Sequence, residues 1–228
     1  MLSVPGVTAV QLRGGTRPGN LAARMRMARG LGKAFAKISY TLNEHRRLLA
    51  RLEREVVASP TLLLPNSEMV AREIDTHYGR TCGVIIVPNG VSIPDISRQK
   101  RSQWRQAERE ELGIDDKAVV FLTIATNFRL KGVDFATRAF ARGLGADSGI
   151  DAHFLVLGRA EAPEIRSLAE QLGIGERVHI LPPTTQVFRW YSTADVCVLL
   201  SWYDACSRVV LEATRWGVPS ITTTYNGA

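Results

Sequence analysis

Long apolar runs are missing from this 228-residue chain. No stretch reaches the roughly 18 uninterrupted apolar residues of a membrane-crossing helix, although 45% of the residues are hydrophobic. The opening MLSVPGVTAVQLRGG has neither the charged n-region nor the long apolar core of a signal peptide. These two absences predict a cytoplasmic protein. Cysteine is scarce: Cys82, Cys197 and Cys206 stand far apart with no CxxC pair, which argues against a disulfide framework and a thiolate metal site. The four histidines, His45, His77, His153 and His179, show no ligand spacing, so no metal is expected.

Acidic residues are few in the first quarter. Residues 1–58 hold 11 Lys or Arg against 3 Glu, a balance of +8, so the other 170 residues carry −1 of the net +7. Aromatics are few there too, only Phe35 and Tyr40, and no interleaved stacking pattern points to nucleic acid. Two readings of this basic segment stay open. It is either a solvated helix face or a surface that rests on an anionic membrane, which would place the protein peripherally at the inner leaflet.

What is present reads as alternating elements. From Asn20 to Val57 the chain lacks proline and carries apolar groups at helical spacing, with an interruption near Gly30 and Gly32. TLLLPNSEMVAREIDTHYG predicts a short buried strand, a turn at Pro65-Asn66, a helix capped by Ser67 and a stop at Gly79. GVIIV is expected to be a strand ending at Pro88-Asn89-Gly90. After a polar stretch over 94–117, AVVFLTIAT opens a run of strands alternating with helices: 133–143, HFLVLG, 161–172, RVHIL, 185–192, DVCVLL, 207–216 and VPSITT. Such alternation implies right-handed βαβ units and a parallel sheet.

Chemistry concentrates in SWYDACSRVVLEATRWGVPSITT, where Asp204 and Glu212 are separated by seven residues. Asp204 lies in the loop before a helix, at the sheet edge where open parallel sheets bind ligands. Glu212 lies about two turns inside that helix, whose first amides, around Cys206, Ser207 and Arg208, can receive phosphate oxygens. Alternatively, Asp204 caps the helix and Glu212 is an ordinary helical residue. The segment resembles the E-x7-E region of family 4 retaining glycosyltransferases, with Asp in place of the first acid. ATNFRLKGVDFATRAFA resembles the same family's strand, basic loop and Lys-Gly helix start, and the pattern is closest to lipopolysaccharide-core glucosyltransferases. PNGV at 88–91, NSEMVAREI and LVLG resemble further elements of that family, and RGGT at 13–16 is similar to a glycine pair that follows a histidine in some relatives, here replaced by Arg13.

The resemblance implies an α/β protein of two Rossmann-like domains (GT-B type). Residues 1–90 would be a partial acceptor domain, its first strands missing, and residues 91–228 a nearly complete donor domain cut short at its C-terminus. It further implies transfer of a hexose from a nucleotide sugar, expected to carry uridine diphosphate, to a hydroxyl of a glycan or glycolipid, with no cofactor and no metal. Lys131 and Asp204 are the expected catalytic residues, with Arg129, Lys131, Gly132, Leu181, Asp204, Cys206, Ser207, Arg208 and Glu212 binding the donor. The competing class is a non-catalytic basic fragment that binds an anionic membrane surface or nucleic acid.

Overall fold

The computed structural model describes residues 8–28, 38, 42–144 and 148–228. The predicted helix interruption near Gly30 and Gly32, with Phe35 and Tyr40, lies outside them. Contacts divide the chain into two compact units, one of residues 1–90, 202–207 and 224–228, the other of 91–201 and 208–223. The sequence placed everything from 91 onward in one domain. Contacts instead assign 202–207 and 224–228 to the first unit.

In the first unit, β1 (Ala9–Leu12) pairs in parallel with β2 (Leu62–Pro65). The segment GVIIV, expected to be a strand, forms only an isolated bridge, Val84 to Leu63, with Ile85 N donating to Leu63 O and Val87 N to Pro65 O. Three helices follow the local signals. In α1 (Arg17–Met27) the Thr16 hydroxyl caps the Gly19 amide and Pro18 takes an early position that needs no hydrogen-bonded N–H. The second helix, α2 (Glu44–Ala58), is capped by Asn43, and α3 (Glu68–Tyr78) by Ser67. The last of these stops at Gly79, whose φ of 64° is the left-handed conformation that only glycine adopts cheaply. Leu12, Val56, Leu63, Val70, Ile74 and Ala205 form the core of this unit.

The second unit is a five-stranded parallel sheet in the order β5-β4-β3-β6-β7, made of β3 (Val119–Ile124), β4 (Ala152–Leu157), β5 (Val178–Leu181), β6 (Val196–Leu199) and β7 (Ser220–Thr222). Strand β4 shows why its sequence is apolar throughout. Phe154 and Val156 pack into one core cluster with Phe140 and Ile165, while Leu155 and Leu157 pack into another with Tyr191, Ala213 and Trp216. Both faces are therefore buried, as covered parallel sheets require. The helices are α4 (Arg98–Glu111), α5 (Val133–Leu144), α6 (Pro163–Gln171), α7 (Val187–Thr193) and α8 (Arg208–Trp216).

Next to this core sit two histidines on neighbouring strands, with His153 Nδ1 3.0 Å from His179 Nε2 and His153 Nε2 3.3 Å from Asp151. Burial, then the facing His153, pushes His179 down to about 4 from 6.5. Burial also lowers His153, outweighing Asp151 and assisted by Arg177 and Arg109. Both rings are thus neutral when folded at pH values where the unfolded chain protonates them. Their contribution to stability is complete above about pH 6.5 and is lost as pH falls toward 4. Urea unfolding at pH 7 and pH 5 should show a loss on the order of 2 kcal/mol that is clearly smaller in a His179→Leu variant, which keeps only His153. Equal pH slopes in the two proteins would refute this account.

Candidate functional site

In the second unit the sheet order reverses between β3 and β6, and the crevice outside the carboxyl ends at such a switch point is where open α/β sheets bind ligands. The segment after β3 is a tight turn. Leu130 N donates to Asn127 Oδ1 at 3.0 Å, Lys131 N to Asn127 O at 3.0 Å, and Val133 N to Phe128 O at 3.0 Å. Gly132 has φ +64°, and a Cβ there would stand 2.1 Å from the carbonyl oxygen of Leu200, just beyond β6. Glycine is what lets the Lys131 turn close against the neighbouring strand end. Lys131 is half-buried and opens α5, whereas Arg129 is exposed. Arg129 lines an open cleft of about 560 Å³ with Thr126, Asn127, Arg159 and Glu164, and Lys131 is not part of that lining.

On α8, Glu212 is 14% exposed and held from two sides. Arg208 Nη2 donates to Oε1 at 3.2 Å, and the Tyr191 hydroxyl lies 3.2 Å from Oε2. Burial, with the Glu212 charge second, pushes the Tyr191 phenol above its usual range, so it stays protonated as a donor. Tyr191 is a supporting residue that sequence reasoning missed, since nothing in its local pattern marks it. Leu181 ends β5, but its side chain belongs to the core cluster around Leu155 and Leu157, and its carbonyl accepts from Gly158 N at 3.2 Å.

The remaining predicted residues belong to the first unit. Asp204 N donates to Tyr225 O and Gly227 N to Asp204 O, both at 2.9 Å, a short parallel ladder that fixes the half-buried Asp204. Cys206 is buried and its carbonyl accepts from Asn89 Nδ2 at 2.9 Å. The Ser207 amide, one of those expected to meet phosphate, donates to Asn226 Oδ1 at 3.4 Å. Ahead of this loop segment, the Tyr203 hydroxyl lies 2.7 Å from Glu73 Oε2 and also accepts from Thr16 N at 3.2 Å. Among the described residues, no group of three or more His, Cys, Asp or Glu is arranged to hold a metal ion, and no helix is long and apolar enough to cross a membrane.

The parallel sheet and its switch point define a Rossmann-like unit of the kind found in GT-B glycosyltransferases. Solved structures agree on this fold. A lipopolysaccharide-biosynthesis glycosyltransferase, WaaG, aligns with all of this chain and 59% of its own at TM-score 0.74 and 22% identity. Anabaena HepE, solved with UDP and with UDP-glucose, aligns over 79% of this chain and 49% of its own at TM-scores of 0.65 and 0.64 and 19% identity.

Residues 116–228 match the family model "Glycosyl transferases group 1", and the chain carries a glycosyltransferase domain of that family. Among curated relatives, the D-inositol 3-phosphate glycosyltransferase of Geodermatophilus obscurus is 32% identical over 189 residues, and that of Streptomyces bingchenggensis 28% over 186. The match takes in 77% of this chain, which spans about 40% of the length of either relative.

Proposed function

We propose that the protein transfers a hexose from a uridine diphosphate sugar to a hydroxyl of a glycan or glycolipid, with retention of the anomeric configuration and without a bound metal. The observation that carries this reading is the placement of Lys131-Gly132 directly after β3 and of the Glu212 helix after β6, flanking the switch point of the sheet. The complexes of HepE with UDP and UDP-glucose support it. In this reading Glu212 accepts hydrogen bonds from the vicinal ribose hydroxyls and Asp204 from hydroxyls of the hexose. The ammonium of Lys131 neutralises the β-phosphate, with Arg129 nearby and the α8 start at Ser207 and Arg208 adding donors. As the bond from the anomeric carbon to phosphate breaks, its electrons pass to an oxygen that Lys131 stabilises. The acceptor hydroxyl oxygen then bonds to the anomeric carbon from the face the leaving group vacates, and its proton passes to the departing phosphate oxygen.

A second reading is favoured by α2, where Arg47, Arg51 and Arg54 are exposed at helical spacing beside an exposed Leu48. Ion pairs of Arg47 with Glu44 and Arg51 with Glu55 offset part of that charge. A face of this kind adds about 1 kcal/mol per cation near an anionic leaflet and would hold the protein at a glycolipid acceptor.

Paired assays test both readings. Calorimetry should give saturable binding of UDP and UDP-glucose, and NMR of any product should show the donor's own anomeric configuration. Sedimentation should occur with anionic vesicles, weaken with salt, and be largely lost when Arg46, Arg47, Arg51 and Arg54 are changed to Gln. Vesicle binding without nucleotide binding would reject the transferase reading, and an inverted product would reject retention.

A further inference from the structure

We propose that Glu73 is a positioning residue for the donor sugar, acting through Tyr203 on the loop that carries Asp204; this rests on the sugar-binding role proposed for Asp204 above. The observation is a polar cluster of Glu73, Tyr203 and Thr16 inside the first unit. One carboxylate oxygen, Glu73 Oε2, accepts from the Tyr203 hydroxyl at 2.7 Å, from Thr16 Oγ1 at 2.7 Å and from Thr16 N at 3.4 Å. Thr16 Oγ1 also accepts from Gly19 N at 3.1 Å, so its proton is directed at Glu73. Burial, then the hydrogen bond to Glu73 and its charge, pushes the Tyr203 phenol above its ordinary range. The phenol therefore stays protonated and donates.

Two glycines are cut to this cluster. Gly15 has φ +70°, and a Cβ on it would fall 1.7 Å from the Tyr203 hydroxyl oxygen; a Cβ on Gly19 would fall 2.3 Å from Glu73 Oε1. Neither position tolerates a side chain while Glu73 and Tyr203 stay in place. The next residue, Asp204, is clamped along its backbone by Tyr225 and Gly227. Tyr203, bonded through its side chain to Glu73, supplies a second constraint immediately before it. Backbone ladder and buried phenol together hold the main chain from which the Asp204 carboxylate projects, and a fixed attachment point is what a contact selective for one ligand geometry requires.

The test compares dissociation constants for UDP and UDP-glucose on the 228-residue chain. Glu73→Ala should raise the constant for UDP-glucose about tenfold and leave that for UDP within about twofold, because only the sugar meets Asp204. Glu73→Gln, which keeps an accepting oxygen, should recover most of the loss. Tyr203→Phe should reproduce it, and the Glu73→Ala/Tyr203→Phe double variant should be no worse than either single change. If Glu73→Ala does not fold, Tyr203→Phe carries the same comparison. An unchanged preference between the two nucleotides, or equal weakening of both, overturns the positioning role while leaving the transferase reading intact. Wild-type protein that binds neither nucleotide overturns the transferase reading, and this inference with it.

Discussion

Asp195→Ala should lower the unfolding free energy by about 3 to 5 kcal/mol, the range for stranding a buried charge by removing its partner. Arg109 on α4 is 2% exposed, and its Nη2 lies 2.8 Å from Asp195 Oδ2. The remaining donors reach the carbonyls of Thr193, Asp115, Asp116 and Ala118. The same carboxylate takes Arg105 through Oδ1 and the Val120 amide through Oδ2, each at 2.8 Å. Burial, then neighbouring Arg105, already lowers the Arg109 pKa, with Asp195 opposing both. Without Asp195, two guanidiniums face one another with carbonyl dipoles alone between them and the core. Replacing the pair together, Arg109→Met with Asp195→Ala, should cost less than Asp195→Ala alone, because no buried charge is left behind. Urea unfolding checks both, and a loss below about 1 kcal/mol for the single variant would show the cluster to be a weak surface pair.

Glu212→Ala should weaken UDP binding by about 1.5 to 3 kcal/mol, roughly 10- to 150-fold in the dissociation constant, if two charge-assisted hydrogen bonds to the ribose are lost. The carboxylate is oriented by Tyr191 on one oxygen and Arg208 on the other. Arg208 is largely exposed, so that pair orients more than it stabilises. The variant should therefore unfold at nearly the wild-type urea concentration. Tyr191→Phe should weaken UDP binding less than Glu212→Ala, since it frees the carboxylate without deleting it. Calorimetry showing UDP affinity within about twofold of wild type would remove Glu212 from the ribose.

The second unit was largely legible because its sheet is buried on both faces, so each strand reads as an apolar run bounded by helical periodicity. Helix α4 was not read. RQKRSQWRQAEREE has almost no apolar stripe, and the side chains it buries include Glu108 and Arg109, which bond to Arg189 and Asp195 rather than to hydrocarbon. Its signals were the Ser97 cap and a glycine-free, proline-free run. Strand β1 also went unread, since four residues are too few to show a period.

At the candidate site, Lys131-Gly132 and Glu212 were singled out by resemblance to family motifs, and they lie in the turn after β3 and on the helix after β6. Tyr191, Tyr203 and Glu73 were not. Glu73 and Tyr203 lie 130 positions apart, and no local pattern announces a bond between them. The same holds for the ladder from Asp204 to Tyr225 and Gly227, because YNGA reads as plain loop until the strand-like pairing is seen.

The way the chain threads its two units bears on the order in which it can fold during synthesis. N-terminal domains generally fold first as they leave the ribosome. Here the first unit draws residues 202–207 and 224–228 into itself, and Ala205 sits in the same apolar cluster as Leu12, Leu63 and Ile74. Translation at about 5 to 20 residues per second delivers that loop roughly 6 to 23 seconds after residue 90 emerges. Through that interval the amino-terminal core stands open where Ala205 will close it, and the Tyr203 seat beside Gly15 is vacant. Contacts this distant in sequence are slow to form. The first unit thus waits on residues made after most of the second unit before its glycine turn can be locked.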